Sequence, residues 1–147
     1  MTLRHIKDWQ PAEKAKGIPK SIREMILDRH SLTQRLKRLH HQDFFVQVLC
    51  HEWQKPLFAE QSFLQCNDQN ASIREVLLFG SGKPVVFARS VLPESSLTGD
   101  NSDLLSLGDK SLGDYIFSQP ELRRGPIEVA PTIAKQFNQH LRVNYNN

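Results

Sequence analysis

Apolar positions along this chain recur in two rhythms. Ile22, Met25 and Ile26, then Leu32, Leu36 and Leu39, fall three or four residues apart, the spacing that lays one stripe along a helix. Ser21 with Glu24, and Ser31 with Gln34, fit the pattern in which a serine oxygen and a later Glu or Gln side chain satisfy the free amides of a first turn. Two short helices are therefore predicted. From Asp43 the rhythm shortens. Phe44, Phe45, Val46 and Val48 predict a strand within residues 43–53, because aromatic and β-branched side chains suit a pleated surface. Residues 55–70 keep no period and read as a long connection.

The sharpest signal is IREVLLFGSGKPVVFARSVLP, residues 73–93. It predicts strands over 73–79 and 84–91 around a Gly-Ser-Gly turn, with Gly80 and Gly82 supplying the positive φ angles of a tight reversal. Pro93 closes the hairpin. Residues 93–103 are rich in Ser, Gly and Asp. Leu104, Leu105 and Leu107 then form a short apolar turn ending at Gly108. Ser111 with Asp114 opens another short helix, SLGDYIFSQ, which stops before Pro120. Residues 126–130 and 141–145 read as two further strands. Residues 1–17 are polar, with Trp9 and Pro11 as their main features, and read as a loosely docked arm. Short helices set among strands that reverse through hairpins predict an α+β fold on a single antiparallel sheet.

Composition narrows this picture. At 147 residues and 39% hydrophobic, the chain fits one domain over 1–147, long enough to bury roughly two-thirds of its unfolded surface. Cys50 and Cys66 form no C-x-x-C pattern, and no basic, apolar and small-residue leader opens the chain, so reduced thiols and a cytoplasmic location are expected. No run approaches the roughly 20 apolar residues of a membrane span. A net charge of +3 suits a small anion or nucleic acid and separates neither.

Candidate chemistry centres on two arginines. Arg74 shares a strand face with Val76 and Leu78, so on a covered sheet its guanidinium enters a mostly apolar space and needs an anion. Glu75 can neutralise one of Arg74 and Arg89 across the hairpin, which leaves the other unassigned. The first turns at Ser31-Leu32-Thr33 and Ser111-Leu112-Gly113 expose amides at the positive end of a helix, which favours an anion; an ordinary capped helix facing water fits the same residues.

Other chemistries find little support. The six histidines and two cysteines show no metal-ligand spacing, so no metal site is expected. No phosphate-cradling glycine loop is present. Cys50 and Cys66 read as small buried hydrophobes. Arg29, Arg35, Lys37 and Arg38 around two short helices invite a helix-turn-helix reading, but Asp28 and Asp43 flank them and a solvated basic face is the simpler account. No nucleic-acid partner is expected.

Taken together, SLTQRLKRL, IREVLLFGSGKPVVFARSVLP and LGDKSLGDYIFSQPELRRGPIEVA resemble the chorismate-pyruvate lyase family over most of residues 18–130. The resemblance lies in order and spacing: a Ser-x-Thr helix start, an Arg-Glu strand, a hairpin ending Ala-Arg-Ser-Val-Leu-Pro, and a Leu-Gly-x-Tyr-x-Phe helix. It implies one antiparallel sheet with helical flaps over a buried ligand. It also implies a cofactor-free reaction turning chorismate into 4-hydroxybenzoate and pyruvate, on the way to ubiquinone, in a monomer. In the family an arginine matching Arg74 grips the ring carboxylate, and amides that fall on Leu32 and Leu112 help to hold it. Arg89 then becomes the structural partner of Glu75. The family's proton-transferring glutamate, on a C-terminal strand, finds no match, because Glu128 is the last acid and matches another family position. No catalytic residue is therefore assigned, and the family's C-terminal strand is expected to be missing. A non-catalytic aromatic-acid or effector-sensing module of the same fold is the alternative.

Overall fold

The computed structural model describes residues 7–132; the predicted strand at 141–145 and the family's C-terminal strand lie outside them. In chain order the elements are β1 (Gln10–Pro11), α1 (Lys20–Leu27), α2 (Leu32–His40), β2 (Phe45–Gln54), α3 (Phe58–Leu64), β3 (Ala71–Gly80), β4 (Lys83–Pro93), α4 (Leu112–Phe117) and β5 (Glu128–Val129), with 3-10 turns between several of them. Short helices with antiparallel strands make the fold α+β. None of the described helices is long and apolar enough to cross a membrane.

The chain divides into two compact units, one of residues 1–29 with 123–147 and one of residues 30–122. In the first, β1 and β5 pair antiparallel over two residues, and Arg23 donates to the carbonyls of Ala12 and Ala15. Ala12 and Ala15 are both buried. Part of the predicted loose arm is thus held by one side chain and one short ladder. Ser21 does not cap α1: the N-cap is Pro19, without a side-chain bond. The fixed φ of proline suits a helix start, and it shifts the first turn two residues earlier than the serine implied.

The second unit is built on an antiparallel sheet in the order β2-β3-β4. β3 is central, and all of residues 71–78 are buried. The hairpin reverses at Ser81 and Gly82, with φ of 52° and 74°, a register in which Gly80 pairs with Lys83. Gly80 was expected in the turn, but it ends the strand with an ordinary backbone. Its missing side chain serves another purpose, since a Cβ there would run into the His40 ring.

Residues 55–70, read as a connection, contain α3. Its start is made by Glu60, whose carboxylate accepts from the Leu57 amide at 2.8 Å. Phe58, Phe63 and Leu64 are exposed, so no buried stripe marked this helix in the sequence. By contrast α2 lays Leu36 on Val76 and Leu78 of β3, with Phe44, Val46, Val86 and Ala88 closing the cluster. That apolar plate covers one end of the sheet face that carries Arg74.

Candidate active site

Strand alternation sends the two arginines of the hairpin to opposite faces. Arg74 points with Val76 and Leu78 towards the α2 side, whereas Glu75 points with Ile73 and Leu77 to the other. Glu75 stands directly opposite Arg89, and Arg89 Nη1 donates to Glu75 Oε1 at 2.9 Å. Glu60 of α3 completes the group, accepting from Arg89 Nε at 2.7 Å. Burial alone would lower the Arg89 pKa, but hydrogen bonds to Glu60 and Glu75 outweigh it and raise the value. Two carboxylates therefore neutralise Arg89, and Glu75 is turned away from Arg74.

Arg74 is 3% exposed. Its Nη2 donates to the carbonyls of Gly108 at 3.1 Å and Lys110 at 2.7 Å, while its buried Nε has no acceptor. Among the described residues no carboxylate pairs with it. Desolvation lowers its pKa, yet a guanidinium stays charged at any physiological pH. A buried cation held by two neutral carbonyls and carrying an unused donor is a costly arrangement that an anion relieves. The polar character continues along this face: His51 lies opposite Arg74 on β2, and its Nε2 is 3.1 Å from Ser72 Oγ.

The two carbonyls that hold Arg74 lead directly into α4. Ser111 caps it, its Oγ accepting from the Asp114 amide at 3.4 Å. Ser31 caps α2 in the same way, accepting from the Gln34 amide at 3.3 Å. Leu32 and Leu112 are thus the first residues of their helices, where amides have no acceptor within the helix. The two starts meet: Thr33 Oγ1 and Ser111 Oγ lie 2.6 Å apart, buried. Only glycine fits at position 113, because a Cβ there would come within 2.7 Å of Thr33 Oγ1 and 3.3 Å of Ser31 Oγ. A continuous path of bonds and chain neighbours therefore joins Arg74, Lys110, Ser111 and Thr33. It brings the Leu32 and Leu112 turns to the same end of the unit as the guanidinium.

Beside this path lies a cleft of about 480 Å³, lined by Lys37, Phe44, Phe45, Leu107, Lys110 and Asp114 among others. Arg74, Leu32 and Leu112 do not line it, and two of its charged side chains, Lys37 and Asp114, pair at 2.5 Å. The buried donor without an acceptor is on Arg74, which makes it the candidate for holding an anion. Sequence reasoning missed Glu60, and it named Thr33 and Gly113 only as members of their first turns, not as contacts of each other. Glu60 was legible only as the acid three residues after Leu57; Gly113 and Thr33 acquire meaning only when two distant helix starts touch. Gln34 was expected to reach back to its own cap, but it donates instead to Asp114 Oδ1 at 2.7 Å.

Comparison with known proteins gives a consistent result. A sequence model described as chorismate lyase matches residues 3–142. A protein of Pseudoalteromonas translucida described as a probable chorismate pyruvate-lyase is 39% identical over 123 residues, covering 84% of this chain and 67% of its own. A Pseudomonas aeruginosa protein with the same description is 38% identical, over 82% of this chain and 68% of its own. One from Hydrogenovibrio crunogenus is 32% identical over 93% of this chain and 75% of its own.

Proposed function

The chain belongs to the chorismate lyase family, and on that premise we propose that it converts chorismate into 4-hydroxybenzoate and pyruvate, a step towards ubiquinone, with the ring carboxylate bound by Arg74. The observation that carries the assignment is the buried guanidinium whose Nε has no acceptor. A carboxylate is the acceptor best matched to a guanidinium edge, since its two oxygens can take two parallel N–H donors. The amides of Leu32 and Leu112 supply further donors to the same group, and they do so whatever their side chains, so apolar residues can occupy both positions.

No cofactor is needed for this reaction. The bond between the ring and the ether oxygen breaks, the neighbouring ring carbon gives up its hydrogen as a proton, and the released enolpyruvate takes a proton at its methylene to become pyruvate. The ring becomes aromatic, which drives the step. What these residues contribute is orientation: Arg74 is already fixed by the carbonyls of Gly108 and Lys110, which sets the direction in which its guanidinium meets the acid. Exclusion of water from this buried face strengthens the contact between guanidinium and carboxylate.

The test is chorismate consumption with ultraviolet detection of 4-hydroxybenzoate, beside calorimetry of 4-hydroxybenzoate binding. Arg74→Ala is expected to weaken binding by about 2–4 kcal/mol, roughly thirtyfold or more in Kd. Arg74→Lys is expected to recover only part of that, because an ammonium offers no planar fork. Unchanged affinity in Arg74→Ala would remove the assignment.

A further inference from the structure

The starts of α2 and α4 are tied twice. Inside, the Thr33 and Ser111 hydroxyls bond to each other. Outside, Asp114 accepts from Lys37 Nζ at 2.5 Å through one oxygen and from Gln34 Nε2 at 2.7 Å through the other. Gln34 and Lys37 are three apart on α2, so one helix face presents both donors to a single carboxylate. The Lys37 ammonium also sits 5.7 Å from the centre of the Phe44 ring, which limits its wandering. The side chains of Lys37 and Asp114 are 41% and 31% exposed, and an ion pair so placed adds little to folding stability. Its location is what distinguishes it, for it joins the two helices whose first residues are Leu32 and Leu112.

We propose that Lys37 and Asp114 are positioning residues for the bound acid: as a clasp, they fix the spacing between the first turns of α2 and α4 and so slow the ligand's departure. The inference depends on the reading that the ring carboxylate lies between Arg74 and those two turns. A carboxylate offers two oxygens at a fixed separation. Donors from two separate helices satisfy it only while the helices keep one distance, and a drift of about 1 Å weakens several bonds together. The buried hydroxyl pair ties the two helix starts at one point; the clasp ties them at a second, and two ties fix an orientation that one does not. Lys37 and Asp114 also line the open cleft, where dissolved salt reaches the pair and screens it.

The experiment is stopped-flow measurement of 4-hydroxybenzoate dissociation, using the full chain and thermal unfolding as a control. Lys37→Ala and Asp114→Asn are expected to raise the dissociation rate about three- to fivefold, in line with a partly exposed pair, with Tm nearly unchanged. The exchanged pair, Lys37→Glu with Asp114→Lys, is expected to return the rate to within about twofold of the unaltered protein. Added salt should speed dissociation from the unaltered protein more than from Lys37→Ala. Should Asp114→Asn lower Tm through its effect on the helix start, Lys37→Met, which keeps the stem over Phe44, decides. Unaltered dissociation in the Lys37 variants, or an exchanged pair no slower than the single variants, overturns the clasp if Arg74→Ala weakens binding in the same assay. Full affinity in Arg74→Ala overturns the carboxylate reading itself and the clasp with it.

Discussion

Arg74 and Arg89 show how one residue of displacement across a pleat changes what a charge does. Arg89 faces Glu75 and Glu60 and is neutral in sum with either one of them; Arg74 faces carbonyls and has no carboxylate partner among the described residues. Removing Arg89 therefore affects stability rather than binding. Arg89→Ala would leave Glu75, itself 8% exposed, beside Glu60 without a cation, and the expected cost is about 3–5 kcal/mol. The urea midpoint at neutral pH checks this, and Glu60→Gln, which keeps one carboxylate on Arg89, is expected to lose less. The pairing of Arg89 with Glu75 was legible from hairpin spacing. The third member was not, because Glu60 lies 29 residues away on a helix with no apolar stripe.

At the scale of elements, the helix starts matter more than the helices. α4 is six residues long and would not persist alone; it is held by its cap, by Thr33, and by the fit of Gly113 against three hydroxyls. Gly113→Ala is expected to force the α2 and α4 starts apart, costing about 1–3 kcal/mol through overpacking. It is also expected to weaken 4-hydroxybenzoate binding, since both first turns move. Pairing Gly113→Ala with Thr33→Ala should recover part of the stability, because the nearest obstructing atom is then gone; a double-mutant cycle on Tm measures this. The caps at Ser31 and Ser111 were visible in sequence, since a serine three residues before a polar side chain is a local pattern. The contact between Thr33 and Ser111 joins positions 78 residues apart, beyond the reach of any local pattern.

At the scale of the molecule, binding is expected to couple to the stability of the unit spanning residues 30–122, because the proposed site is drawn from β3, α2 and α4 within it. With 4-hydroxybenzoate at a hundredfold excess over Kd, unfolding is expected to become harder by about 2.7 kcal/mol. Hydrogen exchange should slow at the amides of Leu32, Leu112 and the middle of β3. Arg74→Ala should lose both effects while folding normally. Protection that fell only outside residues 30–122 would place the ligand elsewhere.

The sequence by itself determined the α+β class, the hairpin, the serine caps of α2 and α4, and the family, because each is written in neighbours or in a fixed order of motifs. It also presented Arg74 as a charge on an apolar strand face. Tertiary structure alone decided where the other groups meet. α3 exists without a stripe because Glu60 caps Leu57 and binds Arg89. Gly80 is required by His40 rather than by the turn, and Gly113 by Thr33 and Ser31. Whether a buried arginine is matched or left with charge to offer depends on which carboxylates share its face, and faces are fixed only when strands pair in register and helices settle on them.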